Sequence, residues 1–158
     1  MEFEVGKAIV AGVVGTLAMT VVMYMGSMLM GLKMDIPMTL GTMLLRRGTG
    51  AWLLGLMMHL MLGAIFFIIY AALFQAFGIR SGVIGWSAVF GVVHAVMAGL
   101  AFGMMPALHP RMATMRGNVS GEVPAPGYFG LKLGAMAPMA VVGVHVVYAV
   151  VAALVYLA

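Results

Sequence analysis

Cysteine is missing from this chain altogether. That excludes disulfides, iron–sulfur clusters, thiolate zinc sites and covalent haem attachment through a CxxCH motif. Acidic residues are nearly as scarce: Glu2, Glu4, Asp35 and Glu122 are all there are, and each lies outside the long apolar runs. A carboxylate-bridged di-iron site is therefore excluded, and proton transport through buried carboxylates is disfavoured. With no acid to orient an imidazole in the apolar stretches there is no hydrolytic triad, and no glycine-rich phosphate loop precedes a helix. The chain reads as not an enzyme. No basic cluster points to nucleic acid either, although the sequence pI is about 9.8.

What is present is apolar. Of 158 residues, 65% are hydrophobic and 8% charged, against about 25% charged in a soluble domain. Four runs are long enough to cross a hydrocarbon core, which takes roughly 20 helical residues. The expected fold is all-α, a four-helix transmembrane bundle in one domain, with spans at about 5–30, 51–77, 82–105 and 138–158. The connectors are then 31–50 and 106–137. Glu2 and Glu4 precede the first run where a secretory signal would be basic, so this run reads as a retained helix.

Local signals refine the connectors. Asp35 suits an N-cap with Pro37 in the first turn, Arg46 and Arg47 suit the end of a short helix, and Gly48 a stop. This predicts a short interfacial helix with Leu40, Met43 and Leu44 towards lipid. The tight turn 78–81 predicts that the second and third spans are antiparallel neighbours. The third span is expected to end near Pro106, and Pro138 to break the last run. Trp52 and Trp86 mark opposite interfaces.

Lys33, Arg46, Arg47, Arg111, Arg116 and Lys132 fall on one side of the bilayer, Lys7 and Arg80 on the other. The bias places the long connectors in the cytoplasm and both termini outside, in the cell (inner) membrane. The bilayer is the first partner, with other membrane subunits or a homo-oligomer as further ones.

Two patterns point to chemistry. Ser87, Gly91, Ala95, Gly99 and Gly103 form a strip of small residues at every fourth position, a face suited to close helix packing. This makes the third span the expected centre of the bundle. His94 flanks the strip, and from 1.5 Å of rise per residue His59, His94 and His145 all fall roughly 10 to 17 Å below the cytoplasmic boundary. Each has a small residue one turn on, at Gly63, Ala98 and Ala149.

An imidazole layer of this kind can hold haem b, through His59 with His94 or His94 with His145, or a metal ion. It can equally pair with Thr16, Thr20, Tyr24 or Tyr148 and only hold helices together. The chain also has 19 methionines. His109, Met112 and Met115 form a local candidate for copper, since soft thioethers with imidazole suit Cu(I); the competing use of methionine is flexible packing.

The stretches MDIPMTLGT (34–42), WLLGLMMHLMLG (52–63), GMMPALHPRM (103–112) and GYFGLKLGAMAPM (127–139) resemble a family of small uncharacterised four-helix integral membrane proteins of bacteria and archaea. The resemblance implies a four-helix membrane fold without an established activity. It singles out His59, His94, His109, Asp35 and Pro138 as motif positions. The functional expectation is a non-catalytic membrane component holding haem or a metal ion beside a redox or respiratory complex. A cofactor-free structural or assembly subunit is the alternative, and a small-solute channel or carrier the third reading.

Overall fold

The computed structural model describes residues 3–112 and 122–158. Four helices are long and apolar enough to cross a membrane: α1 (Val5–Met30), α3 (Thr49–Ala76), α4 (Val83–Leu108) and α5 (Ala137–Leu157). Between α1 and α3 lies the short α2 (Ile36–Gly41), and a 3-10 segment (Tyr128–Leu133) precedes α5. The chain is a four-helix membrane bundle with no strand among the described residues.

Helix ends follow local chemistry. Gly31, at φ 65°, ends α1 in the left-handed conformation that glycine adopts without steric cost. Asp35 caps α2 by accepting from the Met38 N–H at 2.9 Å, with Pro37 in the first turn. Pro138 likewise sits in the first turn of α5, where its missing N–H costs no helical bond. Contrary to expectation, α4 runs past Pro106 to Leu108. Its last turn closes through the Met105 carbonyl, which accepts from His109 N–H at 2.8 Å.

The spatial order is α3, α1, α5, α4. Helix α5 packs along both α1 and α4, α1 along α3, and the 3-10 segment against α4. Glycines set each contact. A Cβ at Gly15 would fall 2.8 Å from the Tyr148 carbonyl, and one at Gly91 the same distance from the His145 carbonyl, so α5 approaches both neighbours almost backbone to backbone. Gly12 and Gly63 do the same between α1 and α3.

By contrast α3 and α4, joined by the tight turn, touch little along their backbones. Ring pairs stand between them, including Phe74 stacked on Phe90 at a centroid distance of 5.4 Å. The expectation of close antiparallel neighbours is corrected accordingly. The centre of the bundle is α5, not the third span. The strip on α4 does pack: Ser87, Gly91 and Ala95 are buried, with Gly91 against α5, while Gly99 and Gly103 receive Phe129 and Tyr128 of the 3-10 segment.

The connectors interlock at one end. Lys33 N–H donates to the Leu133 carbonyl, and an Arg47 guanidinium nitrogen to the Glu122 carbonyl at 2.9 Å. The Glu122 carboxylate also faces Arg111 at 3.8 Å. Helix α2 is pressed onto α3, because Gly41 and Gly55 let the backbones meet. It stops at Gly41, so Arg46 and Arg47 lie beyond it. Leu40 is buried inward instead of facing lipid, Met43 is half-buried, and Leu44 is exposed as expected.

A methyl group at Gly12 would sit 2.5 Å from the Gly63 carbonyl oxygen and 2.6 Å from Ala64 Cα, whereas one at Gly85 meets nothing within 4 Å. Gly12→Ala should therefore lower stability by about 1–3 kcal/mol through overpacking, while Gly85→Ala should be neutral or stabilising by up to about 1 kcal/mol through helix propensity. Thermal unfolding of the two variants in the same detergent checks the contrast.

Candidate functional site

The loose seam between α3 and α4 opens into a chamber of about 330 Å³. Its rear wall is α1 and α5, contributing Thr16, Met19, Val144 and Tyr148, and α2 closes one end with Leu40. His59 of α3, His94 of α4 and His145 of α5 all line it. At the rim, Leu62, Met97 and Ala101 are exposed on the membrane-facing surface, so the entrance is lateral, from the bilayer. The volume lies at the small end of the range for ligand sites, about 300–1,000 Å³.

The imidazoles are held differently. On His145, Nδ1 is 2.7 Å from the Val141 carbonyl of its own helix and therefore carries the proton. On His94, Nδ1 lies 3.1 Å from Tyr70 Oη, whose own proton is directed to the Phe90 carbonyl at 3.0 Å. This arrangement puts the His94 proton on Nδ1 as well. Both rings then present an unprotonated Nε2, an acceptor, and among the described residues no hydrogen bond occupies either one. His59 is the exception in a further sense: its Nε2 is buried and has no partner among the described residues.

Ring packing limits what the layer can hold. His94 and His145 meet edge to face with centroids 4.7 Å apart, and Phe66 of α3 covers His94 at 4.0 Å. A haem held by two imidazoles lies as a plane between them, and His94 with His145 leaves no such slot. Among the described residues no group of three or more His, Cys, Asp or Glu stands together as a metal site. Of the small neighbours, Ala149 packs on Gly91 and Gly63 on Thr16, while Gly63 and Ala98 line the chamber.

Partners foreseen for the histidines are engaged elsewhere. Thr16 and Thr20 donate to carbonyls one turn back, at 2.7 and 2.6 Å, Tyr148 donates to the Gly63 carbonyl, and Tyr24 donates to Asp35. The residue that sequence reasoning missed is Tyr70. A signal existed: Tyr70 and His94 are equally distant from Gly82, so an antiparallel hairpin turning there sets them level.

His109, the copper candidate, serves as a tether. Its Nε2 lies 2.8 Å from the Thr39 carbonyl and 3.3 Å from Thr42 Oγ1, and its Nδ1 accepts from Arg111 N–H at 3.2 Å. Both ring nitrogens are taken, so ligating a metal would break the clasp between α2 and the second connector. Met112 is buried beside it, and Met115 lies outside the described residues.

No protein-family model, curated protein or solved structure matches this chain.

His109→Ala should strip three buried or half-buried polar contacts at once and lower stability by about 1–3 kcal/mol. It should also expose the connectors to protease. Limited proteolysis with thermal unfolding checks this, and connectors cleaved no faster than in the parent would contradict the tether.

Proposed function

We propose that this protein is a non-catalytic integral membrane protein that takes a small lipid-soluble, hydroxyl-bearing molecule into the chamber between α3 and α4. The observation that carries the reading is the buried, unpartnered His59 Nε2 on the wall of an apolar chamber with a lateral entrance. An orphaned polar atom in such surroundings costs about 1–3 kcal/mol, a cost removed when a guest supplies the missing hydrogen bond. A hydroxyl suits the chamber because it donates to the free Nε2 atoms of His94 or His145 and also accepts.

A cofactor-free packing subunit is the second reading. The backbone-bound hydroxyls and the His94–Tyr70 contact favour it, since these join helices whether or not a ligand is present. Haem or a metal ion at the same imidazoles, the reading prompted by the sequence alone, has less support from the ring packing. An absorption spectrum without a Soret band, with no metal by elemental analysis, separates it from both. The exposed apolar helix faces support contact with the bilayer; a place beside a redox or respiratory complex or other subunits, and kinship with small four-helix membrane proteins, are readings of the sequence kept within the proposal.

An alkylphenol should raise the unfolding temperature of the purified protein more than the matching alkylbenzene does, because binding to the native state stabilises it. His59→Phe should reduce that difference while stabilising the empty protein by about 1 kcal/mol, through loss of the orphaned nitrogen. Equal responses to the two probes, or a destabilised empty variant, would sink the proposal.

In this reading both termini lie outside and the interlocked connectors in the cytoplasm, supported by the excess of Lys and Arg in the connectors. The cysteine-free chain makes the check direct. Cysteine introduced at Ala158 should react with an impermeant maleimide in intact cells and cysteine at Arg46 should not; the reverse pattern inverts the topology.

A further inference from the structure

Several methionines are absorbed neither by the core nor by the chamber. Met25 and Met30 of α1 and Met136 and Met139 near the start of α5 are 46–69% exposed. They line an apolar groove of about 450 Å³ on the outer face where these helices meet. Glycine keeps the groove open, for a side chain at Gly143 would meet nothing within 4 Å. Unbranched thioethers are well suited to a flexible, irregular apolar guest.

The groove leads somewhere different in character. Leu32 and Met34 belong both to its wall and to that of a second pocket of about 450 Å³ at the connector end of the bundle. That pocket carries Lys33, Arg47, Asp35, Tyr24, Ser27 and Thr39. Lys33 makes no ion pair among the described residues. The Arg47 guanidinium is steadied by the Glu122 main-chain carbonyl rather than by a carboxylate. The Glu122 carboxylate is turned to the Arg111 side chain and to the Arg47 main-chain N–H. Asp35 is occupied in capping α2 and accepting from Tyr24, whose hydroxyl also accepts from Trp52 Nε1 at 2.8 Å. The pocket therefore holds two cations against one engaged carboxylate. The Trp52–Tyr24 pair sets it at headgroup depth, where such side chains concentrate.

We propose that this composite surface is a binding site for one anionic phospholipid, with an acyl chain along the methionine groove and the phosphate against Lys33 and Arg47. Charge complementarity selects the sign of the head, and continuity of groove and pocket selects a tailed ligand over a free anion. A basic pocket between helices at the cytoplasmic leaflet is a recurrent way to hold acidic lipid heads. Groove and chamber share the walls Met23, Met34 and Val144, but Lys33 and Arg47, on which the assignment rests, line only the pocket at the connector end and not the chamber.

Native mass spectrometry of the full chain in a neutral detergent tests the site, using phosphatidylglycerol and phosphatidylcholine with the same acyl chains. One phosphatidylglycerol should be retained in preference to phosphatidylcholine, and Lys33→Gln should cut that retention about fivefold, the effect of one interfacial cation. Lys33→Arg should restore it. Gly143→Phe, which fills the groove, should reduce retention of both lipids, with the unfolding temperature reporting that the variant is folded. Excess inorganic phosphate should leave the lipid in place. Equal retention of the two lipids, indifference to Lys33→Gln in folded protein, or full displacement by phosphate would each overturn the assignment.

Discussion

Helices in a bilayer gain little by hiding apolar surface from lipid, so the places where backbones can touch decide which helices associate. In this protein those places are glycines, and each serves a particular neighbour: Gly12 and Gly63 join α1 to α3, Gly15 joins α1 to α5, and Gly91 joins α4 to α5. Nothing equivalent joins α3 to α4. There Phe66, Phe74 and Phe90 stand between the backbones, and His94 and Tyr70 complete the spacer. Three seams close and the fourth stays ajar. The chamber follows from that asymmetry.

The polar groups obey the companion constraint. In hydrocarbon an unmet donor or acceptor has no water to turn to, and the threonine hydroxyls, Tyr148 and the Nδ1 atoms of His94 and His145 are accordingly satisfied within the bundle. His59 Nε2 departs from this pattern. It does so on the wall of the chamber, where a guest molecule has room. Packing and polarity thus single out the same region for independent reasons.

Much of the architecture was legible in the sequence because hydropathy and capping act locally. The long apolar runs mark the helices, Asp35 with Pro37 marks the start of α2, and Pro138 marks the start of α5. The pairing of α3 with α4 was misjudged because a short turn fixes only that two helices begin side by side. Leu40 was misjudged because α2 was treated as an isolated amphipathic turn, whereas Gly41 and Gly55 draw it onto α3. His109 shows a different limit: metal ligation and hydrogen bonding use the same two nitrogens, so spacing alone does not tell them apart. The chamber-lining positions of His59, His94 and His145 could be reached from depth along the helices. The tautomers and the covering ring of Phe66 could not, since they depend on side chains from other helices.

The central place of α5 bears on how the chain assembles. It is the last helix in the described chain, yet it supplies the surface on which both α1 and α4 rest. While α1 to α4 are being inserted, Gly15 and Gly91 face lipid, and α4 has little to hold it to α3. The bundle therefore closes only once α5 has joined it, and the segments made earlier wait in the membrane as loosely associated spans. Quality control acting on this protein would meet a chain whose correctness is decided by that one helix. Damage there would be felt across the whole molecule, whereas comparable damage at the α3–α4 seam would remain local.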